Sequence, residues 1–262
     1  MPAAAADASP WDNDTRSAVR LIGASAMREP AGPVLRGGVE VKLQPGWKTY
    51  WRYPGDAGVP PVFDFTGSDN VKSATVLWPA PVRFADGGGH SIGYKNTVIF
   101  PLRIVPQNAA KPVRLRLALD YAVCETLCIP AKGKAELLLS GSAGSQDAAL
   151  KTAEARVPKL HAIGEGGALT IRKAWRDNGS GKPQVLVEVA APPGTEVDLF
   201  AEGPTHDWAL PLPSPVAGAA AGSKRFAFEL DGLPAGAKAE GASVKLTATA
   251  GSEAVEAVFR LD

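Results

Sequence analysis

The sequence has little cysteine, little histidine and little sign of long helix, and each scarcity excludes something. Among 262 residues there are two cysteines and three histidines, His90, His161 and His206. The histidines are isolated from one another and from the cysteines, so these residues do not show the paired spacing of a four-ligand zinc site. Charge is nearly balanced, with 28 basic against 27 acidic residues and a formal net of +1. No Lys/Arg block occurs, so nothing in the composition calls for nucleic acid or an anionic membrane surface as a partner. No apolar run approaches the roughly 18 residues of a membrane span. The hydrolase signatures G-x-S-x-G and H-E-x-x-H are both missing.

What remains is a chain of short strands. It carries 28 glycines and 23 prolines, and apolar–polar alternation recurs between turn signals, which predicts an all-β fold. Strands are expected at 18–22, 38–43, 47–53, 62–65, 74–78, 97–105, 113–121 and 134–139, a sandwich pattern. Ser145–Val157 is the one convincing helix, stopped by Pro158. Beyond it come strands at 168–175, 184–191, 196–201, 208–212, 225–230, 243–250 and 254–261, with His206-Asp207 read as the entry to the fourth. The expected organisation is therefore two immunoglobulin-like β-sandwich domains joined by a short helical linker. Residues 1–15 would be a flexible tail, 16–143 the first sandwich, 144–160 the linker and 161–262 the second sandwich. The opening Met1-Pro-Ala-Ala-Ala-Ala-Asp-Ala-Ser-Pro10 fits either an ordinary tail or the small-residue remnant of an export signal restarted with Met.

Both cysteines lie in one stretch, Cys124-Glu-Thr-Leu-Cys128-Ile-Pro130, after the alternating run Val113–Tyr121. Three readings are open: a redox pair, a small structural disulfide, or thiols that are inert or bind a soft metal such as Cu(I). Ring size weighs against a staple. Closing about five residues stabilises by roughly 2 kcal/mol, against about 4.7 for a hundred-residue loop. A short-range, exposed disulfide is instead easily reduced. Upstream, Trp51 and Tyr53 lie in an aromatic strand that could support or cover the pair. The segment Phe84–Tyr94, with three consecutive glycines, reads as a mobile hairpin tip or a lid, and Phe84, His90 and Tyr94 are its candidate shielding side chains. Lys132 is close enough in sequence to favour a thiolate, although its simplest role is that of a solvated strand residue.

These stretches, in this order, resemble a known family. The cysteine motif, preceded by Gly46-Trp-Lys-Thr-Tyr-Trp-Arg-Tyr-Pro-Gly-Asp-Ala-Gly58, Trp78-Pro-Ala-Pro81 and Ile92-Gly-Tyr94, is similar to the N-terminal periplasmic domain of DsbD-type thiol:disulfide interchange proteins. Ser9-Pro-Trp11 and Ser17–Ile22 look more like the suppressor-of-copper-sensitivity ScsB branch, whose N-terminal region is also longer than one sandwich. The resemblance covers residues 9–140 well, and 160–262 match in length and strand character. It implies an immunoglobulin-like domain in the periplasm, a thiol:disulfide oxidoreductase whose catalytic Cys124 and Cys128 take electrons from a membrane-embedded reductase domain, in the same polypeptide at full length. They would pass those electrons to thioredoxin-fold partners, with no cofactor and no metal, under a cap loop at Phe84–Tyr94. Two departures stand out: the spacing is C-x3-C where the best-known members have a longer one, and the cap lacks their acidic–aromatic tip. The alternative implied by the same residues is a non-enzymatic periplasmic binding module, or a Cu(I) chelator of copper tolerance.

Overall fold

Alternation of apolar and polar side chains makes each strand two-faced, and burying the apolar faces against each other builds sandwiches. The computed structural model describes residues 7–30, 32–55, 58–86, 89–142, 144–179 and 181–262. The chain forms two compact units: the first lies within the residues up to Val157, and the second comprises Pro158–Asp262 together with, among the described residues before it, Gly55 and Gly89–Ser91. Both are built of β-sheets, as the alternation predicts.

The first unit contains β1 (Asp12–Asn13), β2 (Ser17–Glu29), β3 (Gly32–Leu43), β4 (Lys48–Gly55), β5 (Val62–Asp64), β6 (Val71–Val76), β7 (Val82–Asp86), β8 (Gly89–Lys95), β9 (Thr97–Pro106), β10 (Val113–Cys124), β11 (Cys128–Leu139) and the helix α1 (Asp147–Ala155). One sheet has the order β1-β2-β3-β9-β6 and the other β11-β10-β4-β8-β7, with β5 also paired to β10. Between them lie Leu21, Trp51, Phe100, Leu102, Ile104, Leu115 and Leu119, all essentially without solvent contact. The rings of Phe63, Trp78, Tyr94 and Phe100 meet edge to face around Phe100 at 5.2–5.3 Å, the arrangement aromatic quadrupoles favour.

Two segments are more firmly held than their sequence suggests. The tail expected at 1–15 is ordered over its described part: Ala8 bridges to Ile22, Ser9 exchanges hydrogen bonds with Leu21, and β1 pairs with β2. The Arg20 guanidinium stacks 4.3 Å from the Trp11 ring. Residues 1–6 of that tail lie outside the described residues. The helix expected as a linker is packed on the first sandwich. It buries Leu150 and Ala153, and Arg36 from β3 makes a bidentate pair with Glu154 at 2.6 and 2.8 Å. At the start of α1 the Ser25 hydroxyl and the Gly144 N–H donate to Asp147, and these bonds, with a smaller contribution from Arg36, lower its carboxyl pKa to about 2, below the ordinary aspartate value.

The second unit contains β12 (Lys159–Leu160), β13 (Thr170–Asp177), β14 (Gln184–Ala190), β15 (Val197–Glu202), β16 (Ser214–Val216), β17 (Ser223–Glu229), β18 (Ser243–Ala250) and β19 (Glu253–Arg260). Its sheets run β12-β19-β18-β15 and β13-β14-β17-β16, around a core of Val185, Val187, Leu199, Phe226 and Leu246. The strand expected at 208–212 is absent. Trp208 and Leu210 do point into this core, but Pro211 and Pro213 have no N–H to offer a ladder, and Ala209 makes only a single backbone bond there, to Gly232.

Candidate functional site

The cysteines close the end of the β10–β11 hairpin. The ladder runs without a register break from Val113↔Leu139 to Cys124↔Cys128, so the two residues face each other across the last rung. They form a disulfide with Cα atoms 4.2 Å apart, and Glu125, Thr126 and Leu127 complete the ring.

Alternation along β10 determines which way the sulfurs point. Val113, Leu115, Leu117, Leu119, Tyr121 and Val123 face the core, while Arg114, Ala118 and Asp120 are exposed. Cys124 falls in the outward phase, yet only 1% of it is exposed. Its cover comes from β4. Cys124 stands opposite Lys48, and directly opposed residues share a face. Two residues further along, Tyr50 shares that face. Its hydroxyl lies 2.7 Å from Cys124 Sγ and 3.0 Å from Cys128 Sγ. A disulfide sulfur carries no proton, so the tyrosine O–H is the donor to both. Tyr50, Ala122 and Cys124 form a small buried cluster on the outer face. The chain at Gly58 lies directly on the Tyr50 ring: a Cβ there would come within 2.7 Å of Cδ1. The result is asymmetric, because Cys128 is exposed and Cys124 is not.

The other expected site residues are distributed around this centre. Phe84 is buried on β7, and the Lys48 ammonium sits 4.8 Å from its ring centroid with Lys95 at 5.6 Å. Phe84 is thereby tied to the residue that faces Cys124. Tyr94 points the other way: its hydroxyl donates to the Pro79 carbonyl at 2.8 Å, and its ring packs on Phe100 in the core. His90 is exposed on β8, and the adjacent Gly87 and Gly88 of the expected cap lie outside the described residues. Trp51 and Tyr53 alternate with Tyr50 and so take the core-facing phase, behind the disulfide. Lys132 is 2.9 Å from Asp120, whose hydrogen bond raises the lysine pKa above its ordinary value. That carboxylate competes with any thiolate for the ammonium. Among the described residues no three His, Cys, Asp or Glu side chains gather into a metal-ligand set, and the paired sulfurs offer no thiolate in this state.

Tyr50 is the contact that sequence reasoning missed. Alternation shows that either Tyr50 or its neighbours Trp51 and Tyr53 must face the cysteines. The choice rests on the pairing of Cys124 with Lys48, which brings together residues far apart in the chain.

The first sandwich thus carries, at the end of one hairpin, a five-residue disulfide ring with one shielded and one open sulfur. Residues 26–140 match the family model described as thiol:disulfide interchange protein DsbD, N-terminal. That stretch is similar to DsbD-type N-terminal domains. In fold, the chain is similar to the N-terminal periplasmic domain of ScsB from Proteus mirabilis, with a TM-score of 0.74 and 21% identity over 97% of this chain and 98% of that one. Comparison with proteins of curated function returns no match.

Proposed function

We propose that this chain is a periplasmic thiol:disulfide interchange module. In this reading it relays electrons from a membrane-embedded reductase domain to thioredoxin-fold partners through Cys124 and Cys128. The single observation that carries the proposal is the asymmetry of the disulfide: Cys128 is open while Cys124 lies under the Tyr50 hydroxyl. The DsbD-type match over 26–140 and the periplasmic relative support the same reading. Among the described residues no helix is long and apolar enough to cross a membrane.

The chemistry follows from the exposure. A donor thiolate attacks Cys128 Sγ, a new S–S bond forms, and the Cys124–Cys128 bond breaks with its electron pair going to Cys124. The donor's second thiol then attacks the mixed disulfide and releases Cys128, so two electrons and two protons enter the domain and the donor leaves oxidised. In the forward relay Cys128 attacks an acceptor disulfide and Cys124 resolves it. The charge that develops on Cys124 appears in a buried place, where an unsolvated thiolate is costly. Tyr50 is the donor already aimed at it. Its hydrogen bond to a neutral disulfide sulfur is weak, and it strengthens as the sulfur becomes an anion, so it favours the transition state over the ground state. Phe84, clasped by Lys48 and Lys95, is the cap side chain that this geometry favours.

Two measurements test the reading. The oxidised protein, mixed with reduced thioredoxin and quenched with a thiol-trapping reagent, is expected to show both cysteines reduced. Its reduction potential should lie above the roughly −300 mV below which structural disulfides fall. A potential well below that value, with no reduction by thioredoxin, identifies a staple and overturns the proposal. Tyr50→Phe is expected to slow reduction by dithiothreitol about tenfold, the loss of one hydrogen bond to a developing charge, without lowering the urea midpoint by a comparable amount.

A further inference from the structure

Within the disulfide ring sits the most exposed of the large hydrophobic side chains described, Leu127, at 72%. Single exposed apolar residues are ordinary on protein surfaces, so exposure alone carries nothing. Leu127 differs in where it is held. It immediately precedes Cys128, the open sulfur, and the covalent ring fixes its backbone, so presenting it to another molecule costs little additional ordering. Further apolar groups share the surface. Pro130 is exposed two residues beyond Cys128, in the same phase of β11. Val62, 61% exposed, is on the outer face too, but opposite Asp120, four residues along the strand from Cys124, and so lies beyond the immediate surroundings of the sulfur. The charges nearby are engaged. Glu125, the one ionisable side chain between the two cysteines, folds against Gly46, where a Cβ would meet its Oε1 at 2.9 Å. Asp120 is paired with Lys132.

A thiolate must approach Cys128 Sγ along the extension of the S–S bond, and whatever carries that thiolate must lie against the residues beside the sulfur. We infer that Leu127, with Pro130 on the far side of Cys128, forms an apolar contact that docks the surface of a thioredoxin-fold partner around its reactive cysteine. This rests on the interchange reading above and adds the group that selects protein partners over small thiols.

The test compares two reductants on the full chain. For wild type, Leu127→Asp and Leu127→Met, the second-order rate constant of disulfide reduction is measured with reduced thioredoxin and with dithiothreitol. Leu138→Asp, on the same face of β11 at its far end, serves as the surface control. Leu127→Asp is expected to slow thioredoxin about tenfold, as loss of one buried leucine contact implies, while dithiothreitol changes less than about twofold. Leu127→Met should retain most of the thioredoxin rate, and Leu138→Asp should match wild type. Equal slowing with both reductants places Leu127 on the disulfide chemistry itself and overturns the docking contact, as does an unchanged thioredoxin rate in Leu127→Asp. A wild-type protein that dithiothreitol reduces and thioredoxin does not is a different failure, that of the interchange reading.

Discussion

Replacing Cys124 with serine is expected to leave a protein that captures thioredoxin as a mixed disulfide and cannot release it. Replacing Cys128 is expected to abolish the reaction with protein thiols altogether. The two residues differ in sequence position by only four, so the contrast comes from their surroundings. Cys124 is 1% exposed beneath Tyr50, and a folded partner has no path to its sulfur. Cys128 is open at the mouth of the hairpin and can both receive and deliver an in-line attack. In Cys124→Ser the attacking sulfur survives and the resolving one is gone, so the intermolecular bond accumulates. In Cys128→Ser the surviving thiol is the shielded one. Non-reducing electrophoresis after mixing each reduced variant with oxidised thioredoxin reads the difference as a shifted band. Equal trapping by the two variants would show that the shield does not select the sulfur. Unfolding should not confuse the result, because a ring of about five residues contributes only about 2 kcal/mol, and urea midpoints of the variants provide the check.

The cysteine pair is legible in the sequence because it depends on residue type and short spacing, though those alone leave a redox pair, a staple and inert thiols all open. Two cysteines flanking three residues, after an alternating run and before a proline, stand out at a strand's end, and the β10–β11 ladder then sets them opposite each other in a hairpin. The strand content is legible for the same reason, since period-two alternation is local. The parts that were not legible depend on long-range pairing. Tyr50 and Trp51 are equally good strand aromatics, and only the pairing of β4 with β10 puts one on the sulfurs and the other in the core. Tyr94 looked like a cap residue because it follows the glycine run. Its hydroxyl is instead committed to the Pro79 carbonyl, a contact between segments that no local pattern links. The helix read as a linker for want of a visible anchor, and that anchor, Arg36, is more than a hundred residues upstream. At 208–212 the alternation signalled burial correctly for Trp208 and Leu210, but burial of alternate residues does not require a hydrogen-bonded strand.

Substituting Gly93 by alanine is expected to destabilise the first unit by about 3 kcal/mol, at the upper end of the usual cost of overpacking, and to slow the disulfide chemistry as well. Gly93 lies on β8, which neighbours β4 in the sheet. A Cβ at this position would stand 2.0 Å from the carbonyl oxygen of Thr49 and 2.9 Å from the Cα of Tyr50. Both obstacles are backbone, so no rotamer change relieves the clash, and either β8 or β4 must move. Moving β4 displaces Thr49, whose hydroxyl donates to the Ala122 carbonyl, and with it Tyr50, whose hydroxyl must stay within reach of both sulfurs. Loss of stability and loss of reactivity therefore have one geometric cause and should appear together in Gly93→Ala. Gly167→Ala is the control, since a Cβ there meets nothing within 4 Å, and it should change stability by no more than about 0.5 kcal/mol. Urea unfolding of both variants, alongside their rates of reduction by dithiothreitol, decides the matter. A Gly93→Ala protein with a wild-type midpoint and a reduced rate would mean that the sheet yields at β4, and that the strand carrying Tyr50 is softer than its burial implies. A lowered midpoint with an unchanged rate would mean that β8 moves instead and that the Tyr50 contact does not depend on the strand beside it.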